Sequence, residues 1–308
     1  MNKLQIQLLK NSHLESKHDI LITTDNDDVG FDFFPRSAIK PFQIIPLLFL
    51  ANKKDIKFDS EEIAIFASSH SGQKVHVELL KHISKKYEIS WNEIFCAPQR
   101  PMHTETADYY VSNKIPFSKL NNNCSGKHLS MLIYSKLLNV DYFNYENIEH
   151  IVQKNINSFF KEIFEIEEIN YGIDGCGLPA IYLNSSSFLK GVTNVLSSDY
   201  KDIWISIFDS YNKHPNLVGG ENRTDTNIML NSYNPLLAKS GAEGVLFVTN
   251  NETSYVFKCL DGNFRAVDLV ATNVLNNQNI INDIPYKKLN KNNSKNLQNT
   301  EVYSFNII

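Results

Sequence analysis

Two pairings of serine with lysine in this sequence could carry nucleophilic chemistry. The first is Ser37 with Lys40, in the run Pro35-Arg36-Ser37-Ala38-Ile39-Lys40-Pro41. On a helix, positions i and i+3 share one face, with side-chain stems about 5–6 Å apart. A neutral lysine there can take the serine proton and make the hydroxyl a nucleophile. The triplet Lys239-Ser240-Gly241 offers a second amine, and SxxK followed by such a triplet is typical of serine acyl-transferases that use lysine as base.

The residues around Ser37 favour the start of a buried helix. Proline is tolerated only near a helix N-terminus, so Pro41 predicts a helix that begins at about residue 36 or 37. Residues 42–50 are apolar on almost every side, which is typical of a buried helix. Ser37 would then lie where free backbone N–H groups can stabilise a developing oxyanion. By spacing alone, a surface helix that carries a serine and a lysine stays the alternative.

Composition excludes several classes of function. The chain has 308 residues, a formal net charge of -4 and four scattered cysteines. This charge favours neither nucleic acid nor an anionic membrane as a partner, and no apolar run is long enough to span a bilayer. The first ten residues are too polar for the core of a signal peptide. We therefore expect a cytoplasmic protein without a disulfide framework.

Strand-like segments concentrate near the two ends of the chain, and helix-like segments lie between them. Apolar patterns predict strands at 20–24, 244–249 and 255–260. Apolar residues at helical spacing predict helices at 75–83, 127–138 and 148–163, while 63–67 fits a short buried strand or a helix end. This order predicts an α+β fold, in which an antiparallel sheet built from both chain ends is flanked by helices.

The same patterns suggest how the chain is organised. Residues 1–275 are interpreted as a single unit, with its helical part at roughly 36–180. Residues 276–308 are rich in asparagine and lysine and have little to bury, so we expect this segment to be loosely ordered.

Two more segments concentrate reactive side chains. Ser69 lies between an apolar run and an amphipathic helix, where it could cap the helix or serve as a second hydroxyl of the site. Cys124, Lys127 and His128 crowd a turn that leads into a helix, a position that favours a thiolate. The glycine that begins a phosphate-binding loop is missing here, which excludes nucleotide binding.

A cysteine loop and an arginine leave alternatives open. Cys176 lies between two glycines with Asp174 two residues earlier, which fits a ligand-binding loop or a tight turn with a buried thiol. Cys124 and Cys176 could share a zinc ion, although their spacing is not that of a common zinc motif. Arg223 could bind a carboxylate through paired hydrogen bonds, or Arg223 and Asp225 could pair with neighbours on the surface.

Taken together, these segments resemble the rhizobial-type L-asparaginases, also called the asparaginase II family. The matches run in family order from about residue 15 to 275. They are Glu15-Ser16 with His18, Pro35-Arg36-Ser37 with Lys40-Pro41, Ser69-His70-Ser71-Gly72, Asn122-Asn123-Cys124-Ser125-Gly126-Lys127-His128, Asp174-Gly175-Cys176-Gly177-Leu178-Pro179, His214-Pro215 with Arg223-Thr224-Asp225-Thr226, and Ala238-Lys239-Ser240-Gly241-Ala242-Glu243-Gly244.

The resemblance implies a fold similar to serine β-lactamases and bacterial glutaminases, a homodimer, and hydrolysis of L-asparagine to L-aspartate and ammonia. It implies two catalytic pairs, Ser37 with Lys40 and Ser69 with Lys239. It implies a zinc ion, held by Cys124, Lys127 and Cys176, that helps substrate binding more than chemistry. It also implies substrate-binding or supporting roles for Arg36, His70, His128, Asp174 and Arg223.

Our hypothesis is that Ser37 attacks the side-chain amide, with Lys40 as base, and that water hydrolyses the resulting ester. A penicillin-recognising acyl-transferase would share both lysine motifs and would be acylated by a β-lactam. A non-catalytic relative that only binds an amino acid or zinc is the other alternative. The sequence does not separate asparagine from glutamine, because one methylene is worth only about 1–3 kcal/mol of discrimination.

Overall fold

A computed structural model describes residues 2–284, 287, 295, 298, 300 and 302–308. In chain order, its strands are β1 (Asn2–Lys10), β2 (His13–Thr24), β3 (Asp32–Phe33), β4 (Asn170–Ile173), β5 (Pro179–Asn184), β6 (Leu237–Gly241), β7 (Val245–Thr249), β8 (Ser254–Cys259) and β9 (Ser304–Ile307). Within the described residues, the main sheet is antiparallel with the order β6-β7-β8-β2-β1-β9, and a small sheet has the order β3-β5-β4. The expected sheet built from both chain ends is confirmed.

The main sheet joins buried C-terminal strands to an N-terminal hairpin. Strands β6 and β7 are buried at every residue. Strand β7 is an almost continuous apolar run, as a strand in a covered sheet should be, whereas β6 carries the polar residues Lys239 and Ser240. Strands β1 and β2 form a hairpin whose two turn residues, Asn11 and Ser12, both have positive φ angles of 48° and 65°. Such angles are those of a tight two-residue hairpin turn. Ile20 of β2 lies opposite Cys259 of β8, so the N-terminal hairpin continues the C-terminal strands.

The helices cover the middle of the chain and flank the sheet. They are α1 (Lys40–Gln43), α2 (Ile45–Lys53), α3 (Ser60–Phe66), α4 (Lys74–Lys86), α5 (Thr104–Ser112), α6 (Ser125–Leu138), α7 (Ile151–Phe164), α8 (Ser185–Leu196), α9 (Lys201–Lys213), α10 (Pro215–Val218), α11 (Thr224–Leu230) and α12 (Phe264–Asn277). The helices predicted at 75–83, 127–138 and 148–163 correspond to α4, α6 and α7. The segment 63–67 belongs to the end of α3, which Asp59 and Glu62 start with a reciprocal capping box.

The segment that carries Ser37 is anchored by aromatic packing. A short 3₁₀ helix, Arg36–Ile39, precedes α1, in agreement with the predicted helix start. Phe42 on α1 stacks on Trp204 with ring centroids 4.8 Å apart and meets Phe164 edge-on at 5.1 Å. Aromatic pairs at these distances add to the free energy of burial. They hold α1 in the core and leave Lys40 little freedom.

The C-terminal segment contributes more structure than expected for a loosely ordered stretch. Helix α12 extends to Asn277, and β9 pairs with β1, where Ile307 lies opposite Ile6. Phe305 and Ile307 pack against the core, which gives this strand apolar surface to bury. Most of residues 285–301 lie outside the described residues. The proposed boundary at residue 275 stays a prediction.

Gly126 on α6 generates a test of how closely the helices pack. A Cβ atom at Gly126 would lie 2.1 Å from the Ile65 backbone oxygen on α3, whereas one at Gly175 would have no atom within 4 Å. We expect Gly126→Ala to lower the free energy of unfolding by about 2–3 kcal/mol, because the two backbones must separate. Gly175→Ala is the matched control and should change it little. Denaturant unfolding measures both, and equal stabilities of the two variants would contradict this packing.

Candidate active site

A cavity of about 460 Å³ brings together side chains from distant parts of the chain. Ser37 enters from the 3₁₀ helix and Ser69 from the loop after α3. Ser240 enters from β6, Arg223 from the start of α11 and Asp268 from α12. The two serines predicted to be catalytic therefore line one space, together with a guanidinium and a carboxyl group.

Lys40 is enclosed in the core beside this cavity, with a relative exposure of 1%. Its amine donates to the backbone oxygen of Ser68, to Ser69 Oγ at 3.0 Å and to Cys124 Sγ at 3.5 Å. The sequence pairs Lys40 with Ser37, yet among the described residues the hydroxyl that Lys40 contacts is that of Ser69. The Ser68 carbonyl follows the end of α3, where backbone oxygens lack helical partners, and it draws the amine inward. Burial lowers the pKa of Lys40, although Cys124 opposes the shift.

Lys239 on β6 is also fully buried. Its amine donates to the Ser240 backbone oxygen at 2.7 Å and lies 3.6 Å from Asp225 Oδ2. The family resemblance implies a pair of Lys239 with Ser69, but in the described part of the chain these two oxygens are its polar neighbours. Burial lowers the pKa of Lys239 to about 7, with Asp225 opposing the shift and Lys40 reinforcing it. With this pKa, Lys239 can act as a proton donor or acceptor near neutral pH.

Asp225 lies inside this site, although the sequence left a surface position open for it. It is fully buried and accepts hydrogen bonds from the backbone N–H of Ser240 at 3.2 Å and its hydroxyl at 2.7 Å. Arg223 Nε lies 3.9 Å from its other oxygen. A surface location is therefore wrong for Asp225, because α11 packs against β6 and turns this side chain inward. Its place in the matched segment Arg223-Thr224-Asp225-Thr226 was the signal in the sequence that could have identified it.

Cys124, Lys127 and Cys176 converge at one point behind Lys40. Lys127 Nζ donates to Cys176 Sγ at 3.3 Å. A hydrogen bond from the Cys176 thiol, with the Lys40 and Lys127 ammonium groups, holds the pKa of Cys124 well below its usual range against the effect of burial. The same hydrogen bond and burial raise the pKa of Cys176. A thiolate, a thiol and an ammonium group thus meet at the three positions expected to bind zinc, where the thiols raise the pKa of Lys127. Sulfur, and the nitrogen of a deprotonated lysine, are donors that zinc accepts.

An ion pair joins the Ser37 segment to the Cys176 loop. Arg36 donates two hydrogen bonds to Asp174 Oδ1, from Nε at 3.0 Å and from Nη2 at 2.6 Å. Lys127 and Arg36 hold the pKa of Asp174 below its usual value, although burial opposes them. Among the described residues, neither Arg36 nor Asp174 belongs to the lining of the cavity. Their contact with substrate stays a prediction.

His70 and His128 are buried in the wall behind the cavity. His70 Nε2 lies 2.9 Å from Ser125 Oγ, and its Nδ1 accepts the Gly72 N–H at 3.1 Å. His128 Nδ1 lies 2.6 Å from the Tyr145 hydroxyl. Burial lowers the pKa of both rings well below the usual value, so both are neutral at pH 7. These contacts fix the start of α6, and a direct role in substrate binding stays a prediction.

Arg223 lines the cavity, as expected of a substrate-binding residue. Its Nη2 donates to Ser240 Oγ at 3.3 Å, and its Nη1 lies 3.7 Å from the Met102 sulfur. The next residue, Thr224, donates its hydroxyl hydrogen bond to Asp268 on α12. Asp268 was not found from the sequence, because it lies in an ordinary amphipathic helix with no motif around it.

Residues 13–305 match the sequence model of the L-asparaginase II family. The chain belongs to this family. The family assignment therefore agrees with the resemblance carried by the lysine, serine and cysteine segments, and it supports an amide hydrolase that acts on asparagine. A comparison with curated proteins finds no match.

None of the helices in the described ranges combines the length and the apolar character needed to cross a bilayer. The α+β fold class is confirmed by the antiparallel sheets and their flanking helices. The homodimer and the cytoplasmic location stay predictions.

The environment of Lys239 generates a prediction about pH. If a neutral Lys239 takes part in turnover, kcat for ammonia release should rise through about pH 7 and level off above it, because the amine loses its proton there. Asp225→Asn removes the anion that favours the ammonium form, so the midpoint of this rise should move to lower pH. Initial rates at saturating L-asparagine measure both midpoints. An unchanged midpoint in the variant would contradict this role of Lys239.

Proposed function

We propose that this protein hydrolyses L-asparagine to L-aspartate and ammonia through a serine ester intermediate. The observation that carries the proposal is the hydrogen bond of 3.0 Å between the buried Lys40 amine and the Ser69 hydroxyl, at the wall of a cavity that Ser37 also lines. A buried lysine beside a serine is the arrangement that activates a hydroxyl without a histidine. Membership of the L-asparaginase II family points to asparagine as the amide.

Ser37 is the proposed nucleophile. It is partly exposed at the cavity, whereas Ser69 is 3% exposed and held by Lys40. Ser37 Oγ forms a bond to the side-chain carbonyl carbon of asparagine, and the bond from that carbon to nitrogen breaks. The Ser37 proton leaves on the ammonia, relayed through Ser69 and Lys40. A water molecule then cleaves the ester, releases L-aspartate and returns a proton to Ser37.

The relay requires a lysine that can be neutral near pH 7. Moving a lysine pKa from about 10.4 to about 7–8 disfavours the ammonium by roughly 3–5 kcal/mol. Burial supplies the largest part of this effect at both Lys40 and Lys239, and a neighbouring amine adds to it, since Lys127 lowers the pKa of Lys40 and Lys40 lowers that of Lys239. The enclosed position of the two amines thus supports the chemistry proposed for them.

We also propose that Cys124, Lys127 and Cys176 bind a zinc ion. Two sulfurs and one nitrogen are three protein ligands of a type that leaves a fourth tetrahedral position open. When bound, the ion would supply a positive charge and an open position for a polar group of the substrate. Cys124 already has thiolate character, and Lys127 would have to give up its proton to become a ligand. The contact of Lys40 with Cys124 supports a link between this proposed site and the proposed proton relay.

Substitution of the two serines tests the nucleophile. We expect Ser37→Ala to lower kcat for ammonia release by roughly 10⁴-fold or more, because no ester can form. A diazoketone analogue of asparagine should label Ser37 in the unmodified protein, and peptide mass mapping locates the label. Labelling of Ser69, together with an active Ser37→Ala variant, would transfer the nucleophile to Ser69. Acylation by a β-lactam instead of turnover of asparagine would favour a penicillin-recognising enzyme.

Substitution of cysteines tests the zinc site. We expect Cys124→Ala to lower the bound zinc and to raise KM for L-asparagine, with little change in kcat, because the ion is proposed to support binding. Cys96→Ala is the matched control: Cys96 is also buried, and burial raises its pKa to about 12, so it remains a thiol. Elemental analysis and steady-state kinetics measure the effects. Loss of kcat at saturating substrate, or unchanged zinc content, would contradict the proposed role.

A further inference from the structure

The cavity contains a carboxyl group that the proposed reaction does not use. Asp268 projects from α12 and lines the same cavity as Ser37, Ser69 and Arg223. The Thr224 hydroxyl donates to its Oδ1, and among the described residues Oδ2 has no hydrogen-bond partner. Asp268 is only partly exposed, and its free oxygen lies open to the cavity, where a molecule bound in the cavity can donate to it. The Oδ2 atom of Asp268 is therefore available to accept a hydrogen bond from a molecule bound in the cavity.

The charges around Asp268 show which kind of group fits. Burial raises the pKa of Asp268 to about 7, the Thr224 hydrogen bond and Arg223 oppose the shift, and Asp225 reinforces it. Asp225 itself is already engaged by the Ser240 backbone and hydroxyl. An incoming cation would restore the ionised form of Asp268 and form a charged hydrogen bond to it.

The position of Asp268 relative to Arg223 matches the head of an amino acid. Arg223 and Asp268 line the same cavity and interact electrostatically, and Thr224, which follows Arg223 in the chain, donates to Asp268, so a guanidinium and a carboxyl group share this part of the wall. The ammonium and carboxylate of an α-amino acid are attached to one carbon and therefore also lie next to each other. When the α-ammonium and the α-carboxylate of a ligand are buried in a cavity, each needs a group of opposite charge beside it.

We propose that Asp268 binds the α-ammonium group of the substrate, beside an α-carboxylate bound by Arg223. This inference rests on the proposed function, since it orients L-asparagine with its side-chain amide toward the two serines. It adds a specificity-determining residue that no motif in the sequence indicates. The site selects for a free α-amino acid and against amides that lack either charge.

Three amides separate the two charges experimentally. L-Asparagine carries both, succinamate lacks the α-amino group, and 3-aminopropanamide lacks the α-carboxylate. Asp268→Asn should lower kcat/KM for L-asparagine by roughly 10- to 100-fold, mainly through KM, because a charged hydrogen bond is lost. It should lower kcat/KM for 3-aminopropanamide similarly and leave succinamate unchanged. Arg223→Met should show the complementary pattern, with only 3-aminopropanamide unaffected.

Glu243→Gln is the matched control for general electrostatics. Glu243 also lines the cavity, but its side chain is exposed to solvent. Its neutralisation should leave the ratio of kcat/KM values for L-asparagine and succinamate unchanged. Thr224→Val offers a second variant should Asp268→Asn fail to fold. It removes the hydroxyl that holds Asp268, and it should raise KM for L-asparagine and not for succinamate.

Failure of the Asp268 role and failure of the proposed hydrolase activity give different results. If Asp268→Asn lowers turnover of all three amides equally, or of none, Asp268 does not bind the ammonium group. If the unmodified protein releases ammonia from no amide, the proposed function fails instead. Calorimetric titration with L-aspartate then still tests the inference, because the unmodified protein should bind it and Asp268→Asn should bind it roughly 10- to 100-fold more weakly. Equal affinities would overturn the proposal.

Discussion

The site depends on two lysine side chains that are held away from water. An ammonium group in the core is costly, so each amine must either lose its proton or find acceptors. Lys40 finds the Ser68 carbonyl and the Ser69 hydroxyl, and Lys239 finds the Ser240 carbonyl and Asp225. The same burial that makes these amines costly makes them useful, because it brings their proton exchange toward neutral pH.

Other buried charged groups near these amines are paired with partners of opposite charge or with hydrogen-bond donors. On one side, Cys124 and Cys176 lie against Lys127, and Asp174 lies against Arg36 on the Ser37 segment. On the other side, Asp225 is shared between the Lys239 amine and the Ser240 hydroxyl. Because each ion pair joins two different elements, these polar contacts also fix the geometry of the segments that carry the serines. Loss of one partner would leave a buried charge uncompensated, which is usually more damaging than loss of the pair.

The cavity wall divides into two chemically different parts. One part presents hydroxyl groups, from Ser37 and Ser69, in front of the buried amines. The other presents the Arg223 guanidinium, from the start of α11, and the Asp268 carboxyl group, from α12. An amino acid with a side-chain amide has the same division, with its charges at one end and its reactive carbonyl at the other. This correspondence between the cavity wall and the two ends of the molecule supports the proposed substrate.

Local patterns in the sequence determined much of this protein. The buried runs at 244–249 and 255–260 and the helical spacing at 127–138 specify their elements, because short-range periodicity fixes which face of each is apolar. The motif residues Ser37, Lys40, Ser69 and Lys239 were also evident. Only the tertiary structure decided their partners. Lys40 meets Ser69, Lys239 meets Asp225, and Asp268 reaches the cavity, because these contacts depend on where separate elements pack and on which acceptors a buried amine finds there.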